Sequence, residues 1–123
     1  MAKILLVDDD IDFIQINKTF LEREGHEVIA AYNPEEGMKM LKSEKPALLI
    51  LDVMMQEPDD GFAMAQKIRR EKNHTPIIML TSISKITGLK YGKDAEMVPV
   101  DEFLEKPVSG ETLIKAVNKQ LKK

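Results

Sequence analysis

Short apolar runs alternate with amphipathic stretches five times along the chain. The apolar runs have the length expected of buried β-strands and occupy residues 3–7, 28–31, 47–51, 77–80 and 103–105. Amphipathic stretches with apolar residues at helical spacing occupy residues 11–24, 34–43, 62–70 and 110–121. Residues 82–100 have a weaker pattern, and we expect one short helix there. These units predict one α/β domain over residues 1–123, with an open parallel sheet covered by helices on both faces.

Residues with a preference for helix ends mark the boundaries of these helices. Asn33 followed by Pro34 predicts a helix start, because asparagine caps free N–H groups and proline is accommodated at the first helical position. Asp60 and Ser109 are predicted to cap two later helices in the same way. Gly25 is predicted to end the first helix in a left-handed conformation.

The composition suits a globular domain and excludes several classes of site. Hydrophobic residues make up 43% of the chain and charged residues 32%, with a net charge of −3. A mildly acidic chain gives no electrostatic reason to bind nucleic acid or an anionic membrane directly. The chain has no cysteine, which excludes disulfides and thiolate metal sites. No apolar run is long enough for a signal peptide or a membrane helix, so we expect a cytoplasmic protein.

Polar residues follow the predicted strands at their carboxyl ends. An acidic triplet at residues 8–10 follows the first strand, and Asp52 follows the third. Thr81 follows the fourth strand and Lys106 the fifth. Because the carboxyl ends of parallel strands meet at one edge of a sheet, we expect these side chains to converge, with any ligand bound where the winding direction reverses.

Carboxylates gathered in this way repel one another, so a compensating positive charge is expected beside them. Lys106 supplies one such charge, and Mg²⁺, which favours carboxylate oxygens, water and phosphate, supplies the rest. A carboxylate beside Mg²⁺ and a lysine is a suitable nucleophile toward phosphorus, and Thr81 can donate a hydrogen bond to the transferring group. The pattern therefore predicts that one carboxylate at this edge can accept a phosphoryl group.

Five short motifs lie near the ends of the predicted strands, in chain order. They are ILLVDD at 4–9, LILDVMM at 49–55, DGF at 60–62, PIIMLT at 76–81 and KP at 106–107. With this set the chain resembles, over essentially its full length, a receiver domain of the two-component response-regulator family. The resemblance implies a flavodoxin-like, doubly wound sheet with strand order 2-1-3-4-5. It also implies a phosphoacceptor switch that takes its phosphoryl group from a histidine kinase or a histidine phosphotransfer protein.

The resemblance assigns Mg²⁺ binding to the acidic residues. Asp9 and Asp52 are implied to coordinate the ion directly, together with the backbone carbonyl of Met54. Asp8 is implied to act largely through water. Asp52 is also the implied phosphoacceptor.

The resemblance further implies how the phosphoryl group is held and sensed. Lys106 contacts the group, Thr81 moves toward it, and Phe103 rotates into the space that Thr81 leaves. The chain would catalyse only its own phosphorylation and dephosphorylation. A downstream protein target and a weak or phosphorylation-dependent homodimer are the further partners implied.

The chain departs from the family pattern in two segments. Residues 52–61 are longer than usual, with Gln56 where a proline commonly stands, and residues 81–106 are longer as well. Met54 and Ile83 occupy the two positions that tune phosphoryl lifetime in the family. Both are apolar and neither side chain can hydrogen-bond an attacking water, so we predict slow self-dephosphorylation.

Other interpretations of the same residues stay open at this point. An aspartyl-phosphate phosphatase would use Asp8 as nucleophile and Asp10 as acid–base, although Asp12 stands where that motif needs threonine. A flavodoxin-like flavin binder would need a phosphate loop rich in Ser, Thr and Gly after the first strand, where this chain is acidic. A receiver-like module could also bind partners without taking phosphate, and each carboxylate taken alone could simply cap a helix or end a strand.

Overall fold

The structure is a five-stranded parallel sheet with helices on both faces. It is a computed structural model that describes residues 2–53, 60–81, 100–105 and 108–121. Thr81 is described through its backbone alone. The strands are β1 Lys3–Val7, β2 Glu27–Ala31, β3 Leu48–Asp52, β4 Ile77–Thr81 and β5 Glu102–Glu105. The helices within these ranges are α1 Ile11–Arg23, α2 Pro34–Glu44, α3 Asp60–Arg70 and α4 Gly110–Leu121. None of these helices combines the length and the apolar character that crossing a membrane requires.

The strand order is β2-β1-β3-β4-β5, and every neighbouring pair is parallel. The predicted doubly wound sheet and its strand order are therefore confirmed. The chain leaves β1 toward one edge to form β2, then returns past β1 to form β3, so the winding direction reverses between β1 and β3. Such a reversal opens a crevice at the carboxyl ends of the two strands, which is where ligands bind in open α/β sheets.

The alternation of side chains along each strand divides the core into two halves. In β1, Leu5 and Val7 belong to the half covered by α2 and α3, whereas Ile4 and Leu6 belong to the half covered by α1 and α4. The central strand β3 is buried along its whole length. This is the environment expected for a continuous apolar strand in a sheet covered on both faces.

Side chains predicted to cap helices do so in the structure. The Asn33 side chain accepts a hydrogen bond from the Glu36 backbone N–H at 2.8 Å, and the Glu36 carboxylate accepts one from the Tyr32 N–H at 3.2 Å. These two bonds satisfy N–H groups on both sides of the start of α2. The Ser109 hydroxyl accepts the Thr112 N–H at 3.1 Å and caps α4.

Several boundaries differ by one or two residues from the prediction, and two of these differences involve aspartates. Asp60 is the first residue of α3 rather than its cap, and its carboxylate lies in the first turn, where the helix dipole favours a negative charge. Asp52 is the last residue of β3, one position beyond the apolar run, because pairing with β4 continues the strand to that residue. Gly25 has a φ of 90°, as predicted for the residue that ends α1.

An arginine at the end of α3 ties several segments together at the amino ends of the strands. Arg69 donates hydrogen bonds to the carbonyls of Asn73 and Thr75, at 2.9 and 2.8 Å. It also donates to Asp101 Oδ2 at 3.1 Å, and the same oxygen accepts the Ile77 N–H at 2.8 Å. These bonds link α3, the start of β4 and the residue that precedes β5.

A lysine at the start of β1 forms a second ionic contact at this edge. Lys3 Nζ lies 3.1 Å from the Glu44 carboxylate at the end of α2 and 3.9 Å from the Glu27 carboxylate at the start of β2. The hydrogen bond to Glu44, together with attraction to both carboxylates, holds the pKa of Lys3 above its ordinary value despite an opposing desolvation effect.

Candidate functional site

The three aspartates after β1 have different environments. Asp8 is 2% exposed, and its Oδ1 accepts the Asp10 N–H at 2.9 Å. Asp9 is exposed. Asp10 caps α1, because its carboxylate accepts the Phe13 N–H at 3.1 Å. The triplet therefore divides into a helix cap at Asp10 and two carboxylates, Asp8 and Asp9, placed for another role.

Strand pairing fixes the backbone on both sides of the crevice. Asp52 pairs with Leu80 of β4, and the next residue, Val53, donates its N–H to the Leu80 carbonyl at 2.9 Å. The Asp8 N–H donates to the Ala31 carbonyl of β2 at 3.1 Å. Because each backbone is held by a neighbouring strand, the Asp8 and Asp52 side chains are positioned by rigid elements of the fold.

Asp8, Asp9 and Asp52 converge at the winding reversal of the sheet. Each offers a carboxylate oxygen, and these three oxygens lie within 4.8 Å of one another. Two like charges about 4 Å apart repel by about 1 kcal/mol even in bulk water, and by more where water is partly excluded. Three carboxylate oxygens are hard donors of the kind that bind Mg²⁺ or Ca²⁺. The predicted metal-binding carboxylates are thus brought together in a set that fits a divalent cation.

A glycine allows α3 to approach the backbone of Asp52. The Gly61 N–H donates to the Val53 carbonyl at 2.8 Å. A Cβ on Gly61 would collide with the Asp52 carbonyl oxygen and would lie 2.7 Å from the Val53 Cα, closer than the 3.0 Å limit that real Cβ atoms essentially never pass. Any side chain at residue 61 would therefore push α3 away from the end of β3.

Sequence reasoning placed Gly61 in a motif but gave it no role. The signal that could have identified its role was a glycine at the second position of a helix, where glycine is unfavourable unless another part of the chain approaches closely. The element that comes close, the end of β3, is visible only in the folded structure.

The two predicted switch residues lie on the neighbouring strands β4 and β5. Thr81 ends β4, and its backbone pairs with Glu105. Phe103 pairs with Met79, is half-buried, and packs against the half of the core covered by α2 and α3. The register places Phe103 two positions before the residue that pairs with Thr81. The coupled motion of the two side chains stays a prediction.

Three predicted site residues, Lys106, Met54 and Ile83, lie outside the described residues. Contact of Lys106 with the phosphoryl group, ligation by the Met54 carbonyl and the slow self-dephosphorylation expected from Met54 and Ile83 therefore stay predictions. The short helix expected within residues 82–100 also falls outside the described ranges, apart from Val100.

Known proteins provide an independent comparison for this arrangement. The family whose sequence model matches residues 4–118 is described as the response regulator receiver domain. The chain is 40% identical over 115 residues to the probable transcriptional regulator ycf27 of Pyropia yezoensis, covering 90% of this chain and 44% of that protein. It thus spans less than half the length of this curated relative. It spans half the length of another, the transcriptional regulatory protein CpxR of Escherichia coli, to which it is 35% identical over 127 residues.

Two solved structures resemble the whole fold. The receiver domain of the Francisella response regulator 1452 has a TM-score of 0.87 at 27% identity, covering 99% of this chain and 98% of that chain. The Vibrio cholerae chemotaxis protein CheY4 has a TM-score of 0.84 at 30% identity, covering 97% and 98% of the two chains. Both likenesses extend over the sheet, its helices and the edge that carries the aspartates.

Proposed function

The chain belongs to the response regulator receiver domain family, and from this premise we propose that Asp52 accepts a phosphoryl group and that the domain acts as a two-component signalling switch. The observation that supports the proposal best is the gathering of Asp8, Asp9 and Asp52 within 4.8 Å at the winding reversal of the sheet. Asp52 is the carboxylate of this set that ends the central strand, the position of the phosphoacceptor in the motif that the chain shares with the family.

Mg²⁺ is the cofactor that we assign to the carboxylate cluster. Asp9 and Asp52 would hold the ion together with the carbonyl of Met54, and Asp8 would act through water. When bound, Mg²⁺ neutralises negative charge on a transferring phosphoryl group. The hydrogen bond from the Asp10 N–H fixes the orientation of the Asp8 carboxylate for this role.

The transfer requires a nucleophilic oxygen, a donor and a shielded site. An Asp52 oxygen attacks the phosphorus of a phosphohistidine on a histidine kinase or histidine phosphotransfer protein, so that a P–O bond forms as the P–N bond breaks and the imidazole leaves. Because Asp52 is only 7% exposed, little water reaches the site in competition with the donor. Lys106 contacts the phosphoryl oxygens, Thr81 donates a hydrogen bond to one of them, and Phe103 follows the movement of Thr81.

The domain has no other reaction in this proposal. Its return to the unphosphorylated form is hydrolysis of its own acyl phosphate in the cytoplasm. Several relatives are named as transcriptional regulators, and the chain covers only part of them. We therefore assign the reading of the switch to a downstream protein or a weak homodimer, and not to direct contact of this domain with nucleic acid.

The local geometry favours Asp52 over Asp8 as the nucleophile. A phosphatase acting through Asp8 would need Asp10 as its acid–base group, but the Asp10 carboxylate caps α1 through the Phe13 N–H. Asp8 itself is almost fully buried and accepts a backbone N–H. Both residues therefore have structural roles, and a phosphatase mechanism would have to break the contacts that they make.

Intact mass spectrometry after incubation with Mg²⁺ and acetyl phosphate tests the assignment. We expect the wild-type chain to gain the mass of one phosphoryl group and Asp52→Asn to gain none. Asp10→Asn serves as the matched control, because it should still be phosphorylated. No mass gain in the wild type, or an equal gain in the wild type and Asp52→Asn, would overturn the proposal, and a gain lost only in Asp8→Asn would favour the phosphatase.

A further inference from the structure

A cleft of about 500 Å³ lies between α2 and α3, on one face of the sheet rather than at its edge. The residues that line it recur at helical spacing on each helix, namely Glu35, Met38, Lys39 and Lys42 on α2, and Asp60, Ala63, Met64, Lys67 and Arg70 on α3. Its floor is apolar, because it is formed by Met38 and Met64. These two side chains are 9% and 3% exposed. Each of the two helices thus contributes one row of side chains to a shared groove.

Positive charge dominates the part of the cleft near the carboxyl ends of the two helices. The cationic lining residues are Lys42, Lys67 and Arg70 in the last turns of their helices, and Lys39 one turn earlier on α2. A second cavity of about 480 Å³ continues from Lys42 and adds Lys45 and Lys72. The two cavities together are lined by six lysine or arginine residues and three acidic residues, in a chain whose net charge is −3.

The helix dipole explains only part of this distribution. Cations are favoured in the last turn of any helix, which accounts for the positions of Lys42, Lys67 and Arg70 along their helices but not for that of Lys39. The dipole is symmetric around the helix axis, so it does not account for cations of both helices facing the same groove. A shared counter-charge would account for this arrangement.

Few of these cations have a strong partner in the structure. Lys39 lies 3.9 Å from Glu35 one turn away, with both side chains more than three-quarters exposed. Lys42 lies 3.5 Å from Glu71. Exposed pairs of this kind are weak and readily exchanged. Within the described ranges, Lys67 and Arg70 form no side-chain hydrogen bond or ion pair.

We propose that this cleft docks an acidic segment of a partner protein that carries one large apolar anchor residue. The anchor packs on Met38 and Met64, whose flexible thioether side chains adapt to an irregular partner. The carboxylates of the segment pair with Lys67 and Arg70 and compete with Glu71 for Lys42. The complementarity of a cationic rim around an apolar floor is what selects this occupant, since a purely electrostatic site would need no apolar floor.

The size of the groove limits the length of the segment. The 11 residues of α3 extend over roughly 16 Å at the helical rise. An extended peptide covers that distance with about five residues. The predicted motif is therefore one apolar residue flanked by acidic residues within such a stretch. Nothing in this proposal uses the carboxylate cluster, so the two proposals can fail independently.

The test uses a synthetic peptide of aspartate and glutamate residues with one central phenylalanine, titrated into the full, isotope-labelled chain and followed by NMR. We expect shift changes confined to α2, α3 and the methyl groups of Met38 and Met64. The double variant Lys67→Glu/Arg70→Glu should weaken binding by roughly tenfold or more, because two exposed attractions become repulsions. A peptide with serine in place of the phenylalanine should bind more weakly to the wild type.

A matched variant separates a specific groove from general electrostatics. Lys115→Glu/Lys119→Glu makes the same change of charge on α4, where both side chains are at least two-thirds exposed, on the opposite face of the sheet. It should leave peptide affinity within a small factor of the wild type. The amide spectra of both double variants should stay as dispersed as that of the wild type, which shows that they are folded.

Several results would overturn the proposal. They are the absence of peptide binding, shift changes outside α2 and α3, equal weakening by the two double variants, and equal affinity for the serine peptide. Tighter binding of a DNA oligonucleotide to the same cations would assign the groove to nucleic acid. Sedimentation that shows self-association lost only in Lys67→Glu/Arg70→Glu would assign it to a second copy of the chain.

Discussion

The two edges of the sheet differ in how charged side chains are arranged. At the amino edge opposite charges meet, as in Arg69 with Asp101 and Lys3 with Glu44. At the carboxyl edge three aspartates place oxygens within 4.8 Å of one another. Paired opposite charges with further hydrogen bonds maintain the folded state, whereas gathered like charges oppose it. The amino edge therefore serves stability, and the carboxyl edge retains a repulsion that a bound cation would relieve.

The helices place partial positive charge near the aspartates of the carboxyl edge. They run antiparallel to the strands, so their amino ends, with partial positive charge, lie toward the carboxyl edge. Asp10 uses this end of α1 as its cap. The dipoles offset part of the carboxylate repulsion but are too weak to replace a cation.

The largest effect on stability is expected at Gly61, where α3 packs against the backbone at the end of β3. Gly61→Ala should lower the free energy of unfolding by about 2–3 kcal/mol, because overpacking against the backbone of Asp52 and Val53 outweighs the gain in helix propensity. Urea denaturation measures the change. Gly37→Ala in α2 is the matched control and should cost less, since its Cβ would meet side-chain atoms of Met64 and Val7 at 3.0–3.2 Å and no backbone atom among its nearest neighbours. Equal destabilisation by the two variants would contradict this reading of Gly61.

The next effect tests the ionic network of the amino edge. Asp101→Ala should lower the free energy of unfolding by about 2 kcal/mol, because Arg69 and the Ile77 N–H lose a shared acceptor. Lys42→Ala removes an exposed ion pair instead and should lower the free energy of unfolding by only about 0.5 kcal/mol. If the two variants unfold at the same urea concentration, the amino edge does not have the stabilising role described here.

A neutralising substitution at the carboxyl edge should have the opposite sign. Asp9→Asn should raise the free energy of unfolding by about 1 kcal/mol in EDTA, because it removes one of three mutually repelling charges. Millimolar Mg²⁺ should then stabilise the wild type but not the variant. Asp12→Asn, which removes an acid from the first turn of α1, should instead be slightly destabilising. A destabilised Asp9→Asn chain in EDTA would show that the cluster carries no net repulsion.

The smallest effect concerns alkaline pH. Because the folded-state pKa of Lys3 is raised, its ionic contact contributes stability that is complete below the unfolded pKa of about 10.4 and is lost as pH rises through the folded value. The stability difference between the wild type and Lys3→Met should therefore be constant near neutral pH and shrink in strongly alkaline buffer. Thermal midpoints measured across this range test the sign. A difference that grows with pH would contradict the assigned pKa shift.

Sequence patterns predicted the sheet because its signals are local. The run that forms β1 and the cap at Asn33 depend on neighbouring residues alone, and both lie where they were expected. The convergence of Asp8 and Asp52 could also be predicted, since it follows from parallel strands that end at one edge. The role of Gly61 could not, because it depends on a backbone approach between segments. The cleft between α2 and α3 was not predicted for the same reason, because the side chains of the two helices meet only in the folded chain.

The burial of β3 on both faces and its pairing with β1 and β4 have a consequence for the switch proposed at Asp52. A strand held on every side cannot slide or bend without breaking the centre of the domain. Its amide protons should be among the slowest to exchange with deuterium, whether or not Asp52 is modified. If Asp52 accepts a phosphoryl group as proposed, β3 would therefore keep its position in the sheet while the domain responds.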